Sequence, residues 1–163
     1  MDREHAIAAI RDFHCPAYNE IPDMGLYLEQ VLSLVNGVLA PVQTEPLTGA
    51  MVSNYIKNKA IPAPIKKKYK REHIAYLLVT CVLKQVFTVQ HISRLFEIQR
   101  ETYTIDVAYD FFCAEYENAL RESFNFTGEA LPCIETIRTA QTILVRSMVL
   151  AAANRVYVEK VFL

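Results

Sequence analysis

Three observations predict an all-α protein. Apolar residues recur at three- and four-residue steps over most of the chain, the spacing that lines one face of a helix. Runs that alternate apolar and polar residues, the mark of half-buried strands, are missing. The 163 residues include only four glycines, too few for a fold of tight hairpins or a glycine-rich phosphate loop. That length supports one hydrophobic core. With 52% hydrophobic and 21% charged residues, the composition is globular and lies toward the apolar side. A net charge of −1 excludes a globally basic, histone-like protein, so any surface for a polyanion has to be local.

Taken in order, Asp2–His14 sets Ile7, Ile10 and Phe13 on one helical face and has no apolar signal core. Pro16 and Pro22 bracket a connection. Pro22-Asp23 opens a helix along which Met24, Leu28, Val31, Leu32, Val35 and Leu39 align, with Gly37 capping or weakening its end. Ala40–Glu45 reads as a loop. Thr48 suits the N-cap of the next helix, and Leu47 with Val52 forms a hydrophobic staple. That helix, 48–58, turns Val52, Tyr55 and Ile56 inward and Ser53, Asn54, Lys57 and Asn58 outward.

Pro62 and Pro64 stop the helical pattern and hold the following lysines in a turn or extended loop. Lys70–Val86 is the clearest helix, with one stripe of Ile74, Leu77, Leu78, Cys81, Val82 and Gln85 or Val86. Thr88 caps a short helix stapled by Phe87 on Ile92 and buried through Ile92, Leu95 and Phe96. Glu101–Phe124 reads as a helix of roughly 36 Å, with Asp106, Asp110, Glu117, Arg121 and Glu122 largely off its apolar side. Asn125–Leu131 breaks it. Cys133–Leu163 is the last helix, apolar on more than one side around Ile143–Ala153, which places it at the centre of the core or against another chain.

Chemistry-bearing motifs are sparse. His5, His14, His73 and His91 show no metal-binding spacing, and no nucleophile elbow, Walker loop or dinucleotide fingerprint occurs. Asp106, Asp110 and Glu117 follow the spacing of a solvated helix face. The expectation is a protein that is not an enzyme and uses no cofactor or metal. Cys15, Cys81, Cys113 and Cys133 are scattered without a C-x-x-C pair, which points to a reducing cytoplasm. Arg146 and Ser147 interrupt the last apolar run, which is too short to span a bilayer, so no membrane association is expected. Tyr103, Tyr109, Phe111, Phe112, Tyr116, Phe124 and Phe126 line either an effector pocket or, more in keeping with their spacing, a core or dimer interface.

The informative stretch is Pro46–His73. Lys57, Lys59, Lys66, Lys67, Lys68, Lys70 and Arg71 supply seven of the seventeen basic residues, and Pro46 to Arg71 contains no acid. Such a cluster is either a solvated loop or the footprint of a polyanion. Beside it, Ser53, Asn54 and Asn58 are short polar side chains able to meet base edges, while the seven cations suit phosphates.

Thr48, Val52, Tyr55, Ile61 and Pro64, then Tyr69, Glu72 and Phe87-Thr88-Val89-Gln90-His91-Ile92, resemble the helix-turn-helix, wing and following helices of mercury-resistance-type (MerR-like) regulators. Ser53-Asn54 stand where that family has Arg-Tyr, Lys59 stands where it has Gly, and the wing is short and without glycine. The stretches IPDMGLYLEQV and VSNYIKNKAIPAPIKKKY are also similar to a domain-of-unknown-function family of Gram-positive bacteria, a resemblance that implies no activity. The MerR-like resemblance implies a DNA-binding-like region over 1–98, with its helix-turn-helix core at 22–98, and helices at 99–163 for dimerisation or effector response. The expectation is a homodimeric transcriptional regulator that binds duplex DNA. The alternative is a protein-interaction module whose basic loop (59–71) docks an acidic partner.

Overall fold

The computed structural model describes residues 3–125 and 138–163. Seven α-helices occur there: α1 (Arg3–Arg11), α2 (Leu28–Leu39), α3 (Gly49–Lys57), α4 (Arg71–Leu83), α5 (Val89–Thr102), α6 (Ile105–Ser123) and α7 (Ala140–Phe162). A 3₁₀ turn at Tyr18–Glu20 follows α1. No strand forms among the described residues, where extended pairing is limited to the isolated bridges Leu26–Tyr69 and Ile65–Lys68. The fold is an all-α bundle.

Its central helix is α4. The segment HIAYLLVTCVL (His73–Leu83) contains no Lys, Arg, Asp or Glu, and each of its residues is buried. A helix without a polar face has to be surrounded, and α2, α5, α6 and α7 pack around it. Its polar groups find partners inside: Tyr76 Oη donates to Gln99 Oε1 at 2.8 Å and Thr80 Oγ1 to the Tyr76 carbonyl at 2.7 Å. The single stripe expected on this helix is therefore replaced by burial on all sides, and of the two places expected for the last helix the centre of the core is taken by α4. α7 buries one stripe, Met148, Val149, Ala152, Ala153 and Val156, and leaves Ile143 and Val158 exposed. Arg146, Ser147, Asn154 and Arg155 supply the polar side that α4 lacks.

Several boundaries also differ from the periodicity. The helix expected to open at Pro22-Asp23 begins only at Leu28, and Met24 is exposed. The short helix after Thr88 continues to Thr102, and the next begins at Ile105 instead of Glu101. Tyr103 and Thr104 are extended, and the Gln99 amide donates to the Tyr103 carbonyl at 2.7 Å, which ends α5 one residue past the sequence-based start of its neighbour. Cys133, Phe126 and the expected break at 126–131 lie outside the described residues. Within them, α7 starts at the Thr139 cap.

α6 and α7 form the most extensive helix pair. Ala119, Ala152 and Ala153 allow close approach, and the Glu115 carboxylate, 2% exposed, meets Arg146 Nε at 3.2 Å. Acids that spacing assigned to solvent instead hold the chain after α1. Glu117 Oε1 accepts from the Cys15 amide at 2.7 Å and lies 3.0 Å from His14 Nδ1, and Asp110 accepts from the Tyr18 amide at 2.8 Å. Cys15 and Cys113, far apart in sequence, are neighbours there, and Cys113 together with burial pushes the Cys15 thiol up. Both are free, as is Cys81, whose thiol burial pushes up to about 12.

Removing one partner of the α6–α7 pair strands a buried charge. Arg146→Leu should destabilise the fold by roughly 3–5 kcal/mol in urea titration, and the double substitution Glu115→Leu/Arg146→Leu should recover most of it. A single-variant loss below about 1 kcal/mol would mean that the pair behaves as a surface contact.

Candidate nucleic-acid interface

The exposed face of α3 is set by how both of its ends are held. At the start, Thr48 Oγ1 accepts from the Met51 amide. Asn36 of α2 clasps the preceding residue on both sides: its Oδ1 accepts from the Leu47 N–H at 2.7 Å and its Nδ2 donates to the Leu47 carbonyl at 3.0 Å. Leu47, Val52 and Tyr55 are buried, so Ser53, Asn54, Lys57 and Asn58 point outward and are exposed. Asn58 Nδ2 donates to the Asn54 carbonyl at 2.8 Å and to Asn54 Oδ1 at 2.9 Å. The two amides are thereby fixed to each other, leaving the Asn54 Nδ2 donor and the Asn58 Oδ1 acceptor turned to solvent.

At its far end α3 closes in a Schellman motif. The Lys59 amide donates to the Ile56 carbonyl at 3.0 Å and the Ala60 amide to the Tyr55 carbonyl at 2.9 Å. The residue in the left-handed position of that motif is Lys59, at φ 57°. Glycine normally fills that position because a Cβ is crowded there.

The next turn repeats the pattern. After Pro62 and Pro64 the chain forms a two-residue hairpin in which the amide and carbonyl of Ile65 exchange hydrogen bonds with those of Lys68, both at 3.0 Å. Its central residues, Lys66 and Lys67, have φ of 52° and 63°. Positive φ at both positions is the type I′ geometry that strongly prefers Asn-Gly. The described residues other than glycine contain three positive φ values, and all three belong to lysines of this stretch.

Behind the hairpin the chain is braced. Leu26 and Tyr69 exchange backbone hydrogen bonds at 2.8 Å. Gly25, at φ 81°, lies under the Lys68 stem, where an added Cβ would come within 3.2 Å of it. Lys68 Nζ sits 5.5 Å from the centre of the Tyr27 ring. Buried His73 ties hairpin to helix: Nδ1 accepts from the Lys70 amide at 3.0 Å, so Nε2 carries the proton donated to the Ala63 carbonyl at 2.9 Å. The Arg71 guanidinium donates to the Ile21 carbonyl at 2.7 Å and the Asn19 carbonyl at 3.2 Å, and stacks over Tyr18.

The seven cations thus divide. Lys57, Lys59, Lys66, Lys67 and Lys70 are exposed and make no ion pair among the described residues, Lys68 lies back over Tyr27, and Arg71 is engaged with the 19–21 turn.

Residues 16–112, more than half of the chain, match the family model described as a domain of unknown function (DUF1836). The chain belongs to the DUF1836 family. No curated protein and no solved structure matches it. The DUF1836 span takes in the whole basic stretch, α2 to α5 and the first part of α6.

Sequence reasoning had not reached the Asn36 clasp or the His73 tie. The latter has a signal, since His73 stands three residues after the Lys70 cap, the position whose side chain turns back to a helix start. Tyr109, Phe112, Tyr116 and Phe124 are core residues, while Tyr103 and Phe111 reach an apolar groove of 210 Å³ between α5, α6 and α7. No helix among the described residues is long and apolar enough to cross a membrane, and no three His, Cys, Asp or Glu side chains there are placed to hold a metal ion.

Left-handed lysines are strained by roughly 1 kcal/mol each or somewhat more. Replacing all three with turn residues, Lys59→Gly/Lys66→Asn/Lys67→Gly, should stabilise the DUF1836 domain by about 2–3 kcal/mol in urea titration, in spite of the flexibility glycine adds to the unfolded chain. No gain would mean that the turns carry no strain.

Proposed function

We propose that this DUF1836 protein binds duplex DNA through α3 and the 65–68 hairpin, as a transcriptional regulator with a MerR-like winged helix-turn-helix. The observation that carries the reading is the strain. Glycine and asparagine would fit the turns at 59, 66 and 67 better, yet each position holds a lysine that is exposed and unpaired. Strain concentrated at one surface points to function, and what these residues share is positive charge.

In this reading α2 and α3 are the two helices of the motif, held at a fixed angle by Asn36, and the hairpin is the wing. Ser53, Asn54 and Asn58 read base edges, with the paired amides presenting one donor and one acceptor as adenine recognition requires. Lys57, Lys59, Lys66, Lys67 and Lys70 contact phosphates. Arg71 and Lys68 position the wing from behind and add to the field. Homodimerisation accompanies DNA binding, because two half-sites multiply a weak single-site affinity. The apolar groove flanked by exposed Tyr103, Val107 and Ile143 is the surface that supports it. The competing reading, a module that docks an acidic protein through the basic loop, uses the same cations without the α3 amides.

Fluorescence anisotropy with mixed-sequence duplex DNA tests the proposal. With about four phosphates neutralised per protomer, the log–log salt slope should approach −3.6. Lys66→Glu/Lys67→Glu/Lys68→Glu should abolish binding with helical circular dichroism intact, and unchanged affinity would remove the hairpin from the interface. Asn54→Ala should lose roughly 1–3 kcal/mol on a selected site only, whereas Lys57→Ala should weaken all sequences alike. A selection from random DNA that returns no motif would leave the α3 amides without a reading role. Sedimentation velocity at micromolar concentration should give a dimer, and a single concentration-independent species of 18.6 kDa would refute it.

A further inference from the structure

The chain that leaves α1 lies along α6 and runs opposite to it. The Phe13 ring meets Tyr116 edge-on at 6.0 Å, and the Cys15 amide donates to Glu117 Oε1 at 2.7 Å. Nearer the start of α6, Tyr109 Oη donates to the Pro16 carbonyl at 2.9 Å and the Tyr18 amide to Asp110 Oδ1 at 2.8 Å. Tyr109, Cys113 and Glu117 follow one another at four-residue steps and share one face of the helix. Cys113 therefore stands one turn, about 6 Å, from each of the two residues that grip the backbone of Cys15 and Pro16. Cys15 is strapped over the middle of that face, where Cys113 is its neighbour. Both residues are buried, at 4% and 6% exposure, and both thiols are free.

Their places in the sequence give the pair a second property. The DUF1836 match covers residues 16–112, so Cys15 and Cys113 stand one residue outside either end of it. Two thiols that are neighbours in space at the two ends of one domain are placed to close it. We infer that Cys15 and Cys113 form a reversible disulfide, a redox-sensitive staple across the ends of the DUF1836 domain. Hydrogen peroxide is the oxidant that balances the step. The Cys15 thiolate attacks one peroxide oxygen, the O–O bond breaks, and the departing hydroxide takes the thiol proton and leaves as water. The Cys113 sulfur then attacks the resulting sulfenic acid at sulfur. The S–S bond forms, and the second thiol proton leaves with the hydroxyl as a second water. Two thiols have lost two electrons, and one peroxide has gained them. In the closed arrangement Cys113 and burial keep the Cys15 thiol protonated, so the reaction proceeds while the arm before Pro16 is lifted from α6. The hold on that arm is small, since only Ile10, Phe13 and Cys15 are buried between residues 3 and 15. The inference does not rest on DNA binding, and its test contains no DNA.

The experiment treats the full chain with a modest excess of hydrogen peroxide, then alkylates it with N-ethylmaleimide in denaturant. Intact mass and peptide mapping give the outcome. Two of the four cysteines should escape alkylation, and mapping should recover one linked pair of peptides, carrying Cys15 and Cys113. The bond closes a loop of about a hundred residues in the unfolded chain, so the linked form should melt roughly 10 °C above the reduced one. Dithiothreitol should reverse both changes. Cys113→Ala and Cys15→Ala should each lose the link and the gain in Tm, and mapping of the unsubstituted chain decides the linkage should either variant fail to fold. The inference is overturned if all four thiols stay open to alkylation, or if the link joins Cys81 or Cys133 instead. It is equally overturned if dithiothreitol does not reverse the link, or if linking lowers Tm, the sign of a bond strained against the fold.

Discussion

The burial of α4 is the constraint on which the rest of the bundle depends. Eleven consecutive residues without a Lys, Arg, Asp or Glu give this helix no side to turn to water. The chain has to supply helices all round it, and α2, α5, α6 and α7 do so. That requirement leaves α7 with a single apolar stripe to bury, although its sequence is apolar enough for more. The surplus appears as exposed Ile143 and Val158. Charge is expelled to the ends of α4, and the densest cation cluster of the protein therefore lies just before its first turn.

Cations at the start of a helix oppose its dipole, so the cluster needs anchoring that does not neutralise it. His73 and Arg71 provide this in different ways. The imidazole bridges the Lys70 amide and the Ala63 carbonyl with neutral hydrogen bonds, and the guanidinium holds the 19–21 turn through carbonyls instead of carboxylates. Asp23 reaches the Arg71 backbone amide at 3.3 Å. The local positive charge thus survives folding almost entire.

The fold class, the caps at Thr48 and Thr88 and the outward face of α3 were legible in the sequence because each rests on local spacing. The identity of the central helix was not, even though the absence of charge from 73 to 83 was visible. A periodic reading finds a stripe in any apolar run, and only the count of surrounding helices decides whether the other sides are buried too. Glu117 was misread as solvated, and the bond of Asp110, which stays exposed, was not foreseen, for a related reason: their partners, Cys15 and Tyr18, arrive from the other end of the chain. At the basic stretch, composition gave the charge but could not give the backbone. That Lys59, Lys66 and Lys67 occupy left-handed positions depends on a helix ending and a hairpin turning at those residues, and no lysine signals such a turn.

α3 is placed from its inward side. Outward it carries Ser53, Asn54, Lys57 and Asn58; inward, Val52 and Tyr55 are buried. Asn36 Oδ1 accepts from the Leu47 amide just before the helix, and Gln43 Nε2, from the loop after α2, donates to the same oxygen. The direction of the outward face is therefore fixed by a clasp on α2 and by the buried side chains of Val52 and Tyr55, so its polar side chains are not spent on holding the helix.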